Sequence, residues 1–393
     1  MNAGWQKTTL GAAFTTVTGN TPPKNNADFY GQFMPLVKPP ELCDVTLDSA
    51  EDGLSEAGAE VARTAPPNSI LVSCIGNLGK VGLNTIPVAF NQQINAILPD
   101  DRRAIPEFMF YQVLSSSFKE QLEALASGTT VPIVNKSKFN SIEIVLPPLP
   151  EQQRIVAILD EAFDGIATAK ANAEKNLQNA RALFESHLQS VFTQRGEGWP
   201  IRKLGELSDH ITDGTHNSPP YVETGIPMLD SKHVKDGFVI DDTEPEKFIS
   251  PATDVLLAKR CKPRTGDILI SSRGSIGKIA IVREGQDFNI MGNMILIRLP
   301  AGVNREFAAF YLHSQVAHID SIARGVAQKG LYLNQIREYE LPLPSEAKQG
   351  QIGKQLDALS AETQRLESIY QRKLAALASL KKSLLHQAFS GQL

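Results

Sequence analysis

The feature that most constrains this chain is that it repeats itself. Gly4-Trp5, Leu10-Gly11 and Val17-Thr18 recur as Gly198-Trp199, Leu204-Gly205 and Ile211-Thr212, at an offset of 194 residues. Further on the offset is 198, with Ile70-Leu71-Val72-Ser73-Cys74-Ile75-Gly76-Asn77-Leu78-Gly79-Lys80 matching Ile268-Leu269-Ile270-Ser271-Ser272-Arg273-Gly274-Ser275-Ile276-Gly277-Lys278. Phe90-Asn91 with Asn95 matches Phe288-Asn289 with Asn293 at that same offset. After Pro150 an offset of 197 pairs Ile155 with Ile352, Leu159 with Leu356, Leu177 with Leu374, Leu188 with Leu385 and Phe192 with Phe389. A chain of 393 residues with such a period holds two copies of one design, each of which must bury its own core.

Each copy reads as a body followed by a tail. The bodies, 1–146 and 198–342, carry short β-type runs at 70–75 and 267–272 and helical stretches at 107–126 and 305–323. That mixture predicts a small α+β domain in each. The stretch 41–60 holds seven Asp or Glu and has no equal in the second copy, so it reads as a surface loop. In the tails, 147–197 and 343–393, apolar residues fall three, four or seven apart: Ile155, Leu159, Ala162, Ile166 in one, Ile352, Leu356, Leu359, Leu366 in the other. This spacing predicts one long helix per tail with a seam for a partner helix. The proline clusters Pro147-Pro148-Leu149-Pro150 and Pro342-Leu343-Pro344 set the helix starts, since proline suits the first turn and breaks the interior. Joined through Arg195-Gly196-Glu197-Gly198, the two copies are expected to pair their helices antiparallel about a pseudo-twofold axis. At about 1.5 Å rise per residue, such helices would separate the two bodies by a rod of roughly 60 Å.

Composition narrows the function. Hydrophobic residues make up 42% of the chain and 39 Lys plus Arg stand against 43 Asp plus Glu, which excludes a disordered or uniformly basic protein. A nucleic-acid partner would have to be held by local clusters of cations. The cysteines Cys43, Cys74 and Cys261 are far apart and show no zinc spacing, which fits thiols in a reducing compartment. With no leader pattern at the start and no run of about 18 apolar residues, the expectation is a cytoplasmic protein without membrane partners.

The segment Leu146-Pro147-Pro148-Leu149-Pro150-Glu151-Gln152-Gln153-Arg154-Ile155-Val156 resembles the proline-glutamate-glutamine opening of the first conserved helix in specificity subunits of type I restriction-modification enzymes. Asp213-Gly214-Thr215-His216 with Pro219 and Tyr221, and the stretch 263–270 followed by Gly277-Lys278, are similar to segments of that family's second target-recognition domain. The first body has Thr18-Gly19-Asn20-Thr21-Pro22 in the equivalent place, and the second tail has Ser345-Glu346-Ala347-Lys348-Gln349 where the first has its proline-glutamate-glutamine run. The resemblance implies two target-recognition domains separated by two long antiparallel helices, reading a bipartite, asymmetric sequence in double-stranded DNA. It implies no catalytic residues in this chain. It further implies two docked methyltransferase subunits and restriction endonuclease/translocase subunits, with S-adenosylmethionine, ATP and Mg bound on those partners. The rival reading is a duplicated protein-interaction scaffold without DNA binding.

The residues give their own candidates. The repeated Gly-x-x-Gly-Lys segment lacks the first glycine and the hydroxyl residue of a nucleotide-binding loop, and so reads as a hairpin turn or as a DNA contact through Lys80, Arg273 and Lys278. Lys259, Arg260, Lys262 and Arg264 form the densest basic run, either a solvated loop or an attraction for the DNA backbone. Thr215 and His216 join the DNA-binding set; His216 and His233 lack companions at metal-ligand spacing. Ser218-Pro219-Pro220-Tyr221 resembles the tetrapeptide of adenine methyltransferases, but no glycine-rich turn follows a strand to hold a methyl donor. Ile369, Leu374, Leu385 and Phe389 exceed what one helix pair needs and are candidates for partner contact or for packing on the bodies.

Overall fold

The computed structural model describes residues 4–128, 130–194, 198–324 and 329–393. Residues 195–197 of the expected connector lie outside these. The chain forms two compact units, Met1–Ala173 with Lys373–Leu393, and Glu174–Arg372. Each tail is one helix of 45 residues, Leu149–Thr193 and Glu346–Ser390, and each helix contributes one portion to either unit.

The first unit is centred on a five-stranded sheet in the order Thr16–Thr18, Ile94–Ile97, Ile70–Ser73, Val81–Asn84, Val45–Leu47. Ile70–Ser73, Val81–Asn84 and Ile94–Ile97 are buried along their whole length, which explains why they read as continuous rather than alternating apolar runs. One face packs on Phe108, Phe118 and Phe139 together with Ile155 and Leu159 of the first long helix and Leu385 and Ala388 of the second. The other packs through Leu71, Ile94 and Ala96 on Val37, Val88 and Phe90, which lie in a second small sheet. Gln6–Thr9 pairs antiparallel with Glu143–Leu146, closing the body start to end.

The stretch 41–60 is not a loop. Leu42, Leu47 and Leu54 are buried, Val45–Leu47 pairs parallel with the central sheet, and Glu56–Val61 is a helix capped by Ser55. Its acids lie on the outside while three leucines anchor it, so average composition concealed the pattern. The stretch 107–126 holds two helices, Pro106–Leu114 and Ser116–Ala124. They part at Ser115, whose extended backbone lets its hydroxyl accept the Phe118 N–H. The stretch 305–323 also divides, into Arg305–Ser314 and Val316–Ile322, here at Gln315 without a side-chain cap.

The second unit has a four-stranded antiparallel sheet, His210–Asp213, Met294–Arg298, Ile268–Ser271, Ile279–Ile281. Phe184, Leu188 and Phe192 of the first long helix and Ile352 and Leu356 of the second join Phe307, Phe310 and Ile336 on one face. Leu229, Cys261, Phe288 and Ile290 cover the other. The backbone corrects the sequence matches at 17–18 and 90–95: Thr18 pairs with Asn95 as Asp213, not Thr212, pairs with Ile295. The Cys74 N–H donates to the Gln93 carbonyl at 2.7 Å, and its counterpart Ser272 donates to Asn293 at 2.9 Å. Asn91 likewise donates to Val37 as Met291 does to Leu229. Gln93 and Asn293 are therefore equivalent, rather than Asn95 and Asn293, and Phe90-Asn91 answers to Ile290-Met291 rather than to Phe288-Asn289, because two extra residues lie in the second unit between the hairpin and the next strand.

Candidate nucleic-acid interface

Strand direction places several candidates together in the second unit. Asp213 pairs with Ile295, Ser271 with Met294, and the Lys278 N–H donates to the Ser271 hydroxyl oxygen at 2.8 Å, so all lie at one end of the sheet. The loops beyond that end carry Thr215, His216, Arg273 and Lys278. Gly214 is required there, because a Cβ would stand 2.1 Å from the Ile290 carbonyl oxygen. The Gly-x-x-Gly-Lys segments join antiparallel strands in both units, as Ile70–Ser73 with Val81–Asn84 and Ile268–Ser271 with Ile279–Ile281. Their glycines take the left-handed backbone, φ +77° and +74° at Gly76 and Gly79, +73° and +85° at Gly274 and Gly277. The Ser73 and Ser271 hydroxyls pin these loops by donating to the Asn77 and Ser275 carbonyls. The segment is thus a hairpin loop in which the glycines set the backbone path.

Around that loop Arg273 is exposed and bridges through its backbone to Gly330. Lys278, also exposed, lines a cleft of about 490 Å³ with Phe238, His313 and, from the long helices, Phe184 and Gln364. Lys80 is half-buried in the equivalent position of the first unit.

The basic run 259–264 is not one patch. Lys259 is exposed. The Arg260 guanidinium pairs with Asp213 Oδ1, while His216 Nε2 bonds Asp213 Oδ2 at 2.6 Å. Burial pushes the Asp213 carboxyl up, but these two partners outweigh it and hold it below the usual carboxylate range. Lys262 lies between Asp254 at 2.8 Å and Asp287 at 2.7 Å, so it is a structural cation rather than one free to meet DNA. Arg264 is exposed at the opposite end of the sheet, beside Asp267. Thr215 Oγ1 donates to the Asn217 carbonyl at 3.0 Å, which fixes the loop locally. His233 Nδ1 bonds Asp230 at 3.1 Å in a local cap.

The first unit shows a counterpart that sequence reading missed. Gly19 stands as Gly214 does, with a Cβ only 2.2 Å from the Phe90 carbonyl oxygen. Arg63 donates to the Thr18 carbonyl at 2.8 Å, and Thr18 occupies the place that Asp213 holds in the second unit. Arg63 and Arg260 share the offset of 197 residues seen in the tails, the one signal that could have disclosed the pair. Thr21 completes this loop by donating to Gln92 Oε1 at 2.9 Å.

Two candidates for partner contact are used within the first unit's own core. Leu385 is only 4% exposed, and Phe389 packs edge-on to Phe108 with ring centroids 5.3 Å apart. Ile369 and Leu374 are half-buried. Among the described residues no group of three or more His, Cys, Asp or Glu could hold a metal ion, and no helix is long and apolar enough to cross a membrane.

The type I restriction modification DNA specificity domain model matches residues 2–178 and 196–373. The HindI specificity subunit of Haemophilus influenzae is 35% identical over 168 residues, 41% of this chain and 36% of that protein. The EcoKI specificity subunit of Escherichia coli is 22% identical over 99% of this chain and 89% of its own length. The fold is similar to a chain solved in work on assembly and conformational transition of the type I R-M system, with a TM-score of 0.84 at 22% identity, covering 100% of this chain and 99% of that one. It is also similar to the HsdS subunit from Thermoanaerobacter tengcongensis, with a TM-score of 0.63 at 21% identity over 100% and 98% of the two chains.

Proposed function

Because this chain belongs to the type I restriction modification DNA specificity family, we propose that it is the sequence-reading subunit of such a complex, each unit reading one half of a bipartite, asymmetric DNA target. The observation that carries the reading is the duplicated sheet end. In both units a close-approach glycine, an arginine-held strand end and a Ser-pinned hairpin loop with a lysine converge on one rim. Such a rim can present different side chains on a constant frame, which suits base discrimination in a groove. The bodies have nearly balanced charge, so much of the phosphate attraction falls to partner subunits. Two methyltransferase subunits and, through them, endonuclease subunits are the partners of this reading. S-adenosylmethionine, ATP and Mg belong to those partners, and this chain supplies no catalytic group.

The test is a mobility-shift measurement on the chain assembled with its methyltransferase, using a target found by methylation-sensitive sequencing of the host. Arg273→Ala should relax one position of one half-site, while Lys278→Ala should weaken binding on all sequences and lower the salt slope by about 1. A double variant that keeps both affinity and target removes these two residues from the interface. An assembled complex that never shifts DNA would favour the scaffold reading.

A further inference from the structure

The Pro251–Ala258 helix of the second unit turns its apolar side outward. Ser250 caps it by accepting the Thr253 N–H at 3.1 Å, and none of its residues is buried. Ala252, Val255, Leu256 and Lys259 follow the i, i+3, i+4, i+7 spacing of a single helix face, and all four are exposed. Val255 and Leu256 are each 64% exposed. Polar bonds hold the inner side instead. Asp254 receives Lys262 at 2.8 Å and Asn289 Nδ2 at 3.1 Å. Neighbouring large apolar side chains displayed on a helix fixed from behind are what a contact surface requires.

We propose that this face is a DNA-contacting element of the second unit, with Val255 and Leu256 against base edges in a groove and Lys259 against a flanking phosphate. The proposal rests on the DNA-reading function above. Charge favours DNA: Asp254, the helix's own acid, is neutralised by Lys262, so the outward face carries only the positive Lys259. Size favours it too. Two large apolar residues fall far short of the roughly 800 Å² per partner of a stable protein interface, whereas a single apolar side chain suffices to meet a thymine methyl or enter a base step. Position agrees, because the helix leads directly into Arg260, which holds Asp213 and so the loop bearing Thr215 and His216. In the first unit the Ser55-capped helix Glu56–Val61 displays two acids and one exposed valine, so the contact belongs to one half-site alone.

The test uses the assembled methyltransferase complex and a set of DNA duplexes carrying each single base-pair change in both half-sites. Val255→Ser with Leu256→Ser, at exposed positions, should leave assembly intact and lower affinity for the target about tenfold. It should flatten discrimination at one or two adjacent base pairs of a single half-site without changing the salt slope. Lys259→Ala should weaken all duplexes alike and lower the slope by about 1. An unchanged discrimination profile in the double serine variant overturns the proposal, as does loss of methyltransferase from the complex, which would make this a protein-docking face. A wild-type complex without target preference would instead sink the DNA-reading function itself.

Discussion

Gln152 and Gln349, both buried, make two matching hydrogen bonds in the two units. Gln152 Oε1 accepts the Ile105 N–H at 3.0 Å and its Nε2 donates to the Pro147 carbonyl at 2.8 Å. Gln349 Oε1 accepts the Asn304 N–H at 2.9 Å and its Nε2 donates to the Pro344 carbonyl at 2.8 Å. Each ties the first turn of a long helix to the loop that precedes a helix of the body. The second tail has lost the proline and glutamate of the first, yet the glutamine that carries the geometry is kept.

Gln152→Ala and Gln349→Ala should therefore each lower stability, by about 1–3 kcal/mol, because they strand a part-buried N–H and at least one buried carbonyl. Gln→Glu at either site sets a buried carboxylate against the carbonyl that Nε2 served, and should cost at least as much as alanine. Urea unfolding midpoints check this; an alanine variant as stable as the wild type would deny these bonds a structural role.

Lys262→Ala should behave as a stability variant rather than a binding variant. It leaves Asp254 and Asp287 facing each other without their shared cation, at a cost of about 1–2 kcal/mol for a partly exposed site. The salt slope of DNA binding by the assembled complex should not change. A slope lowered by about 1 at unchanged stability would return Lys262 to the DNA-facing set.

The pairing of Asp213 with His216 and Arg260 has a defined pH signature. Its carboxyl is held below the usual range, so its contribution is fully present above the unfolded value near 4 and is lost as pH falls through the lower folded value. The stability difference between wild type and Asp213→Asn should shrink below about pH 4. A difference that instead persists undiminished through the acid limb would show that the charge of Asp213 contributes nothing.

The three cysteines should separate by reactivity. Burial pushes the Cys74 and Cys261 thiols up to about 12, whereas Cys43 is exposed. A thiol reagent at pH 8 should modify one site rapidly in the folded protein and all three in denaturant. Rapid modification of Cys74 or Cys261 under native conditions would contradict their burial.

The sequence by itself determined the duplication, the two long helices with their proline starts, the strands at the centre of each sheet, and the hairpin glycines. The duplication shows in self-comparison at an offset of nearly 200 residues, and the rest are local signals: periodic burial, turn chemistry and helix termini are written within a few residues of each other. Only the tertiary structure decided which cations are free. Lys262 is neutralised by Asp287 across 25 residues and Arg260 is held by Asp213 across 47, and no spacing in the basic run announces either partner. It likewise decided that the acid-rich stretch 41–60 is anchored, since three leucines matter only once the parallel strand beside them is in place. The register of the repeat was settled by backbone hydrogen bonds, which match Gln93 rather than Asn95 to Asn293 although the letters agree better the other way. The physical reason is common to all three: side-chain pattern fixes which face of an element is buried, while the identity of what lies against that face depends on contacts between residues far apart in the chain.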